Sequence, residues 1–84
     1  MKQTYLKAEI TKNAKGWNVF CTYTHGSRST GGKTLAKALY EAIGRNLSVP
    51  DTIVINGTAI NLKDLPSLIK DGWYKDRLIK ALNN

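Results

Sequence analysis

Eighty-four residues, 42% of them apolar and 23% charged, make one small domain around one hydrophobic core, which excludes a multidomain machine, a fibrous repeat and a disordered chain. Thirteen Lys and Arg against six Asp and Glu leave a formal charge of +7, an excess that points to a polyanionic partner more than to any particular chemistry. Residues 1–45 hold eight basic and two acidic side chains, net +6, whereas residues 46–84 hold five and four, net +1, so the first half is the expected contact surface.

Thr4 to Thr11 alternates, with Leu6, Ala8 and Ile10 on one side and Tyr5, Lys7 and Glu9 on the other, the period of a half-buried strand. The polar stretch from Lys12 to Gly16 has hairpin length. It leads to an antiparallel strand over Trp17 to Thr24, whose heavier apolar face, Trp17, Val19, Cys21 and Tyr23, is the expected core side, with Phe20 left outside. A short third strand follows over Ser27 to Thr30, and Gly31-Gly32 is expected to break it. Leu35, Ala38, Leu39, Ala42 and Ile43 then recur at helical spacing, with Thr34 as N-cap and Gly44 as stop; Lys37 and Glu41 make a modest surface pair on the opposite side.

Asn46 to Asp51 reads as a loop. Asn56-Gly57 predicts a type I′ hairpin that pairs Ile53 with Ile60 and Ile55 with Thr58, placing Ile53, Ile55, Ile60 and Leu62 on one buried face. Asp64 is the expected cap of a short helix carrying Pro66 in its first turn, Asp71-Gly72 its end, and Tyr74, Leu78, Ala81 and Leu82 the apolar stripe of a last helix. The expected fold class is α+β: one small domain over residues 1–84, with an antiparallel sheet packed on an amphipathic helix, a second hairpin and C-terminal helical turns.

Nothing in the chain spells out catalysis. Ser27 to Thr34 matches the P-loop pattern except that Ser27 stands for its first glycine, and a P-loop cradles phosphates on backbone N–H groups while its Lys and Thr serve the phosphate and Mg²⁺. The strand before it alternates as a half-exposed antiparallel strand does, no later strand ends in an acidic residue, and the length does not admit the usual parallel sheet. The segment therefore reads as a turn and helix cap, with Ser27, Ser29, Thr30 and Lys33 able to hold a backbone phosphate. His25 reads as a turn residue and Cys21 as a small buried hydrophobe, and the carboxylates form no pair suited to acid–base work. No catalytic residue, metal ligand or cofactor is expected. The lone cysteine, the absence of an apolar run in Met1 to Lys7 and the lack of about 20 consecutive apolar residues lead to the expectation of a cytoplasmic protein that does not enter a membrane.

The expected binding surface is the outer face of the first three strands with the turn after them. There Lys7, Lys12, Lys15 and Lys33 neutralise phosphates, Asn18 and Arg28 reach base edges, and Tyr5 and Phe20 are the stacking residues. Trp17, Trp73, Tyr23, Tyr40 and Tyr74 are expected in the core or its rim.

The stretch Gly16-Trp17-Asn18-Val19-Phe20-Cys21-Thr22-Tyr23, a polar turn, Arg28-Ser29-Thr30-Gly31-Gly32 and Lys33-Thr34-Leu35-Ala36-Lys37-Ala38 resembles the arm-type DNA-binding domain of tyrosine recombinases. It is also similar to the HicB-type antitoxins, in which a Gly-x-Thr-Leu step opens the helix, here Gly32-Lys33-Thr34-Leu35. The likeness covers about residues 16–43, and the chain from residue 51 onward follows neither pattern. The resemblance implies a three-stranded sheet that enters the major groove and meets DNA through its outer face. The expected function is a small basic, non-catalytic nucleic-acid-binding or associated accessory protein, binding DNA or RNA, of the kind carried by phages and mobile elements. The alternative is a protein-interaction module, an antitoxin or inhibitor docking on an acidic or nucleoprotein surface. Either is expected as a monomer or as a homodimer paired through the Ile53 to Leu62 edge.

Overall fold

Alternating apolar residues and two tight turns give the first three strands of the structure, a computed structural model that describes residues 3–70 and 72–83. Strand β1 is Tyr5–Asn13, β2 Gly16–Tyr23 and β3 Gly26–Gly32. Helix α1, Leu35–Leu39, continues as a π-helical turn over Tyr40–Gly44. Strands β4, Thr52–Ile55, and β5, Thr58–Ile60, precede a 3₁₀ helix, Leu62–Leu68, and helix α2, Trp73–Leu82.

The fold is α+β as expected, with a five-stranded, mostly antiparallel sheet in the order β3-β2-β1-β4-β5. Its one parallel pair is β1 with β4, because the chain returns to the sheet through the α1 crossover. The second hairpin therefore extends the first sheet, and its register is the one that Asn56-Gly57 predicts: Ile53 opposite Ile60, Ile55 opposite Thr58. The helices cover one face, where Ala8, Ile10, Val19, Cys21 and Ile53 of the sheet meet Leu39, Ile43, Leu65 and Leu78 in one buried cluster. Among the described residues no helix is long and apolar enough to cross a membrane.

Thr34 caps α1 as predicted, its hydroxyl accepting the Lys37 amide at 3.2 Å. Four local expectations are corrected. A register shift between Tyr5 and Lys7 turns Tyr5 inward beside Ala8 and Ile10 and leaves Leu6 exposed. The Tyr5 hydroxyl donates to the Ala42 carbonyl at 2.7 Å and points at the Cys21 sulfur at 3.1 Å; burial and that contact push the phenol far above its ordinary pKa, so it stays a donor. Strand β3 runs through Gly31-Gly32 instead of stopping there. Glu41, expected on the surface, is 3% exposed. The 3₁₀ helix begins at Leu62, capped by Asn61, whose side chain accepts the Lys63 amide at 3.0 Å, so Asp64 lies in its first turn and Leu62 leaves the strand face. That helix ends at Leu68; the Asp71 half of the expected stop lies outside the described residues, and Gly72 stands directly before α2.

Candidate nucleic-acid interface

The ends of β1, β2 and β3 line up so that Lys12 stands opposite Trp17 and Trp17 opposite Gly32, with Lys33 next in the chain. At ordinary strand spacing, the Lys12 and Gly32 backbones are about 10 Å apart. The β1–β2 turn adds Lys15. Its amide donates to the Asn13 side chain at 2.8 Å, and Gly16 closes the turn at φ +153°, where a Cβ would stand 2.6 Å from the Gly32 carbonyl oxygen. The result is an open concavity of about 630 Å³ lined by Asn13, Lys15, Gly16, Trp17, Asn18 and Lys33.

The backbone beneath these lysines is held while their side chains are free. The Lys12 amide donates to the Asn56 side chain at 3.0 Å, and the Asn56 amide donates back to the Ile10 carbonyl at 2.8 Å, tying the end of β1 to the β4–β5 turn. Lys12, Lys15 and Lys33 are exposed and form no ion pair among the described residues. No group of three metal-ligating side chains occurs among the described residues.

The remaining expected site residues separate. Lys7 lies on the outer sheet face, but its ammonium is 3.3 Å from Glu9, so the middle of that face carries little net charge. Phe20 is 44% exposed on the same face and stands opposite Glu9. Beside it lies a second recess of about 550 Å³, which shares Asn18 with the lysine concavity. Tyr5 is in the core, too deep to stack on a ligand.

Arg28 is also turned away from the outer face. It pairs with Cys21 across β2–β3, hence points to the helix side, where its guanidinium donates to the Glu41 carbonyl at 3.0 Å. Arg77 donates to the Gly44 and Arg45 carbonyls, both at 3.1 Å, and Arg45 donates to both Glu41 oxygens at 2.9 and 3.1 Å. All three arginines thus serve the end of the α1 helical segment, where carbonyls lack intrahelical partners and cations are favoured. Sequence spacing reveals the Arg45–Glu41 pair, four residues apart, but not the other two.

Replacing Arg28→Met therefore lowers stability by about 1–2 kcal/mol through the lost charged hydrogen bond. Thermal melts of the variant against wild type check this. The residues that sequence reading left out of the site are Asn13, Ala14, Gly16, Trp17 and Gly32, which shape the concavity and carry no charge to reveal them. The chain matches no protein-family model, curated protein or solved structure, so its own residues carry the assignment.

Proposed function

We propose that the protein is a small non-catalytic nucleic-acid-binding protein in which Lys12, Lys15 and Lys33 neutralise backbone phosphates and Asn18, between the two recesses, reaches a base edge. The observation that carries this reading is one concavity lined by two unpaired lysines, Lys15 and Lys33, with a third, Lys12, exposed on the strand opposite its Trp17 wall and its backbone fixed by a hydrogen bond. A shallow, open basic recess suits an extended polyanion that runs through it and releases counterions along its length. The interface is a corner of the sheet and not its outer face, where Lys7 is matched by Glu9.

Binding of a DNA duplex, a DNA single strand and an RNA, each titrated against salt, tests the proposal. Wild-type affinity for at least one of them falls steeply with salt, and the triple variant Lys12→Gln/Lys15→Gln/Lys33→Gln shows a log–log salt slope smaller by about 3, one unit per lost phosphate contact. No binding at low salt, or a slope that the triple substitution does not change, overturns the reading and favours an acidic protein surface as the partner.

A further inference from the structure

We infer, resting on the nucleic-acid reading above, that the ligand is single-stranded and that Trp73 stacks on one of its unpaired bases. Trp73 opens α2 and is 60% exposed, more than any other exposed large apolar side chain among the described residues. Its ring is nonetheless held in place: its centroid is 4.9 Å from that of Tyr40 and 5.4 Å from that of Tyr74, and the two tyrosines are 5.2 Å apart. A large aromatic surface already braced from one side gains stacking energy with little loss of conformational freedom.

This cluster continues the lysine concavity. Gly32 borders the concavity, and a Cβ there would overlap the stem of Lys37, so the Lys37 side chain lies along the same surface. The Lys37 ammonium then stands 4.9 Å from the Tyr40 ring centroid and 5.7 Å from that of Tyr74. Lys37 is paired with Glu41 at 2.9 Å, but the same carboxylate also binds Arg45, so the three groups together keep one positive charge beside the aromatic rings. A strand whose phosphates occupy the Lys15–Lys33 recess is thus led past Lys37 to a free indole face.

Bases of a duplex are already stacked on both sides and offer Trp73 nothing, whereas every unpaired base offers a π-face to an aromatic ring close to a basic groove. Phe20, another exposed ring, fits this role less well because Glu9 faces it across the strand pair. The geometry gives the ligand two features: a backbone of phosphates and at least one unpaired base.

The test uses full-length protein, a fluorescein-labelled oligothymidylate and the duplex it forms with oligoadenylate. Trp73→Ala weakens oligothymidylate binding about tenfold, as loss of one stacked base does, leaves the salt slope unaltered, and leaves duplex binding as in wild type; Trp73→Phe keeps most of the affinity. Oligothymidylate quenches indole emission in wild type, and the quenching is clearly smaller in Trp73→Phe, where Trp17 in the concavity wall is the indole that remains. Equal thermal midpoints for the variants and wild type exclude a folding defect, the result expected for so exposed a side chain.

Salt-dependent wild-type binding that Trp73→Ala leaves intact or weakens equally for duplex and single strand, or indole quenching as strong in Trp73→Phe as in wild type, overturns the stacking inference while the lysine reading stands. A wild-type protein that binds neither oligomer overturns both.

Discussion

The double substitution Lys37→Met/Arg45→Met destabilises the protein by about 2–3 kcal/mol near neutral pH, whereas Glu41→Gln costs about 1 kcal/mol or less. The inequality is counter to what exposure suggests, since the Lys37 and Arg45 side chains are 36% and 58% exposed and Glu41 is the buried partner at 4%. Removing the two cations strands a carboxylate among Thr30, Arg28 and the sheet, with the Thr30 hydroxyl at 3.3 Å as its remaining side-chain donor. Removing the carboxylate's charge leaves two cations that swing into water. The half-solvated partners place the cost at the low side of what a fully buried broken pair shows.

The pH dependence separates the two variants further. Burial pushes the Glu41 carboxyl up, but hydrogen bonds and charge from Lys37 and Arg45 outweigh it and hold the group below the ordinary glutamate range in the folded protein. The wild type therefore has this contribution in full above the ordinary value and loses it as pH falls through the lowered one. In Lys37→Met/Arg45→Met burial acts without those cations and lifts the folded value, so the same carboxyl now stabilises at low pH and its contribution is lost as pH rises. Denaturant midpoints measured between about pH 3 and about pH 7 show the stability gap between wild type and double variant widening with pH. A gap constant across that range places Glu41 in contact with water.

The elements with a strong periodic signal were readable, and their reasons are local: Asn56-Gly57 supplies the positive-φ turn, and the Leu35 to Ile43 stripe needs a sheet to cover it. Arg28 was also within reach of the sequence. A two-residue turn at Thr24-His25 sets Tyr23 against Gly26 and hence Cys21 against Arg28, so a core-facing Cys21 implies a core-facing Arg28. Tyr5 was not, because a one-residue irregularity in β1 reverses its side and nothing in Tyr5-Leu6-Lys7 announces one. Glu41 borders the apolar stripe of α1, and its burial depends on Thr30 and Arg28 arriving from β3, a tertiary event. The concavity joins Lys15 and Lys33 through strand register, with Lys12 one strand away opposite Trp17, a juxtaposition that counting charges along the chain does not reveal.

Gly31→Val lowers the thermal midpoint by about 10–20 °C, corresponding to about 2–3 kcal/mol for a domain of this size. Strand preference alone argues for the opposite sign, since valine favours a strand and glycine weakens one by up to about 1 kcal/mol. Space decides. Gly31 lies in β3 with no positive φ, and its role is close approach: a Cβ there would meet the Trp17 carbonyl oxygen at 2.5 Å, a backbone atom of the neighbouring strand that moves only if β2 and β3 separate. Ser29→Val, two residues earlier on the same exposed face, meets no such obstacle and keeps the midpoint within a few degrees, which controls for hydrophobicity and strand preference. The consequence extends to binding, because Gly31 and Gly32 deliver Lys33 to the Trp17 end of the concavity. A β3 pushed off β2 carries that lysine away, so under the proposed nucleic-acid reading the salt slope of binding by Gly31→Val, measured well below its melting temperature, falls by about 1 relative to Ser29→Val. A Gly31→Val protein that melts with the wild type shows that the β2–β3 spacing yields at little cost, and the close approach then has no part in holding the site together.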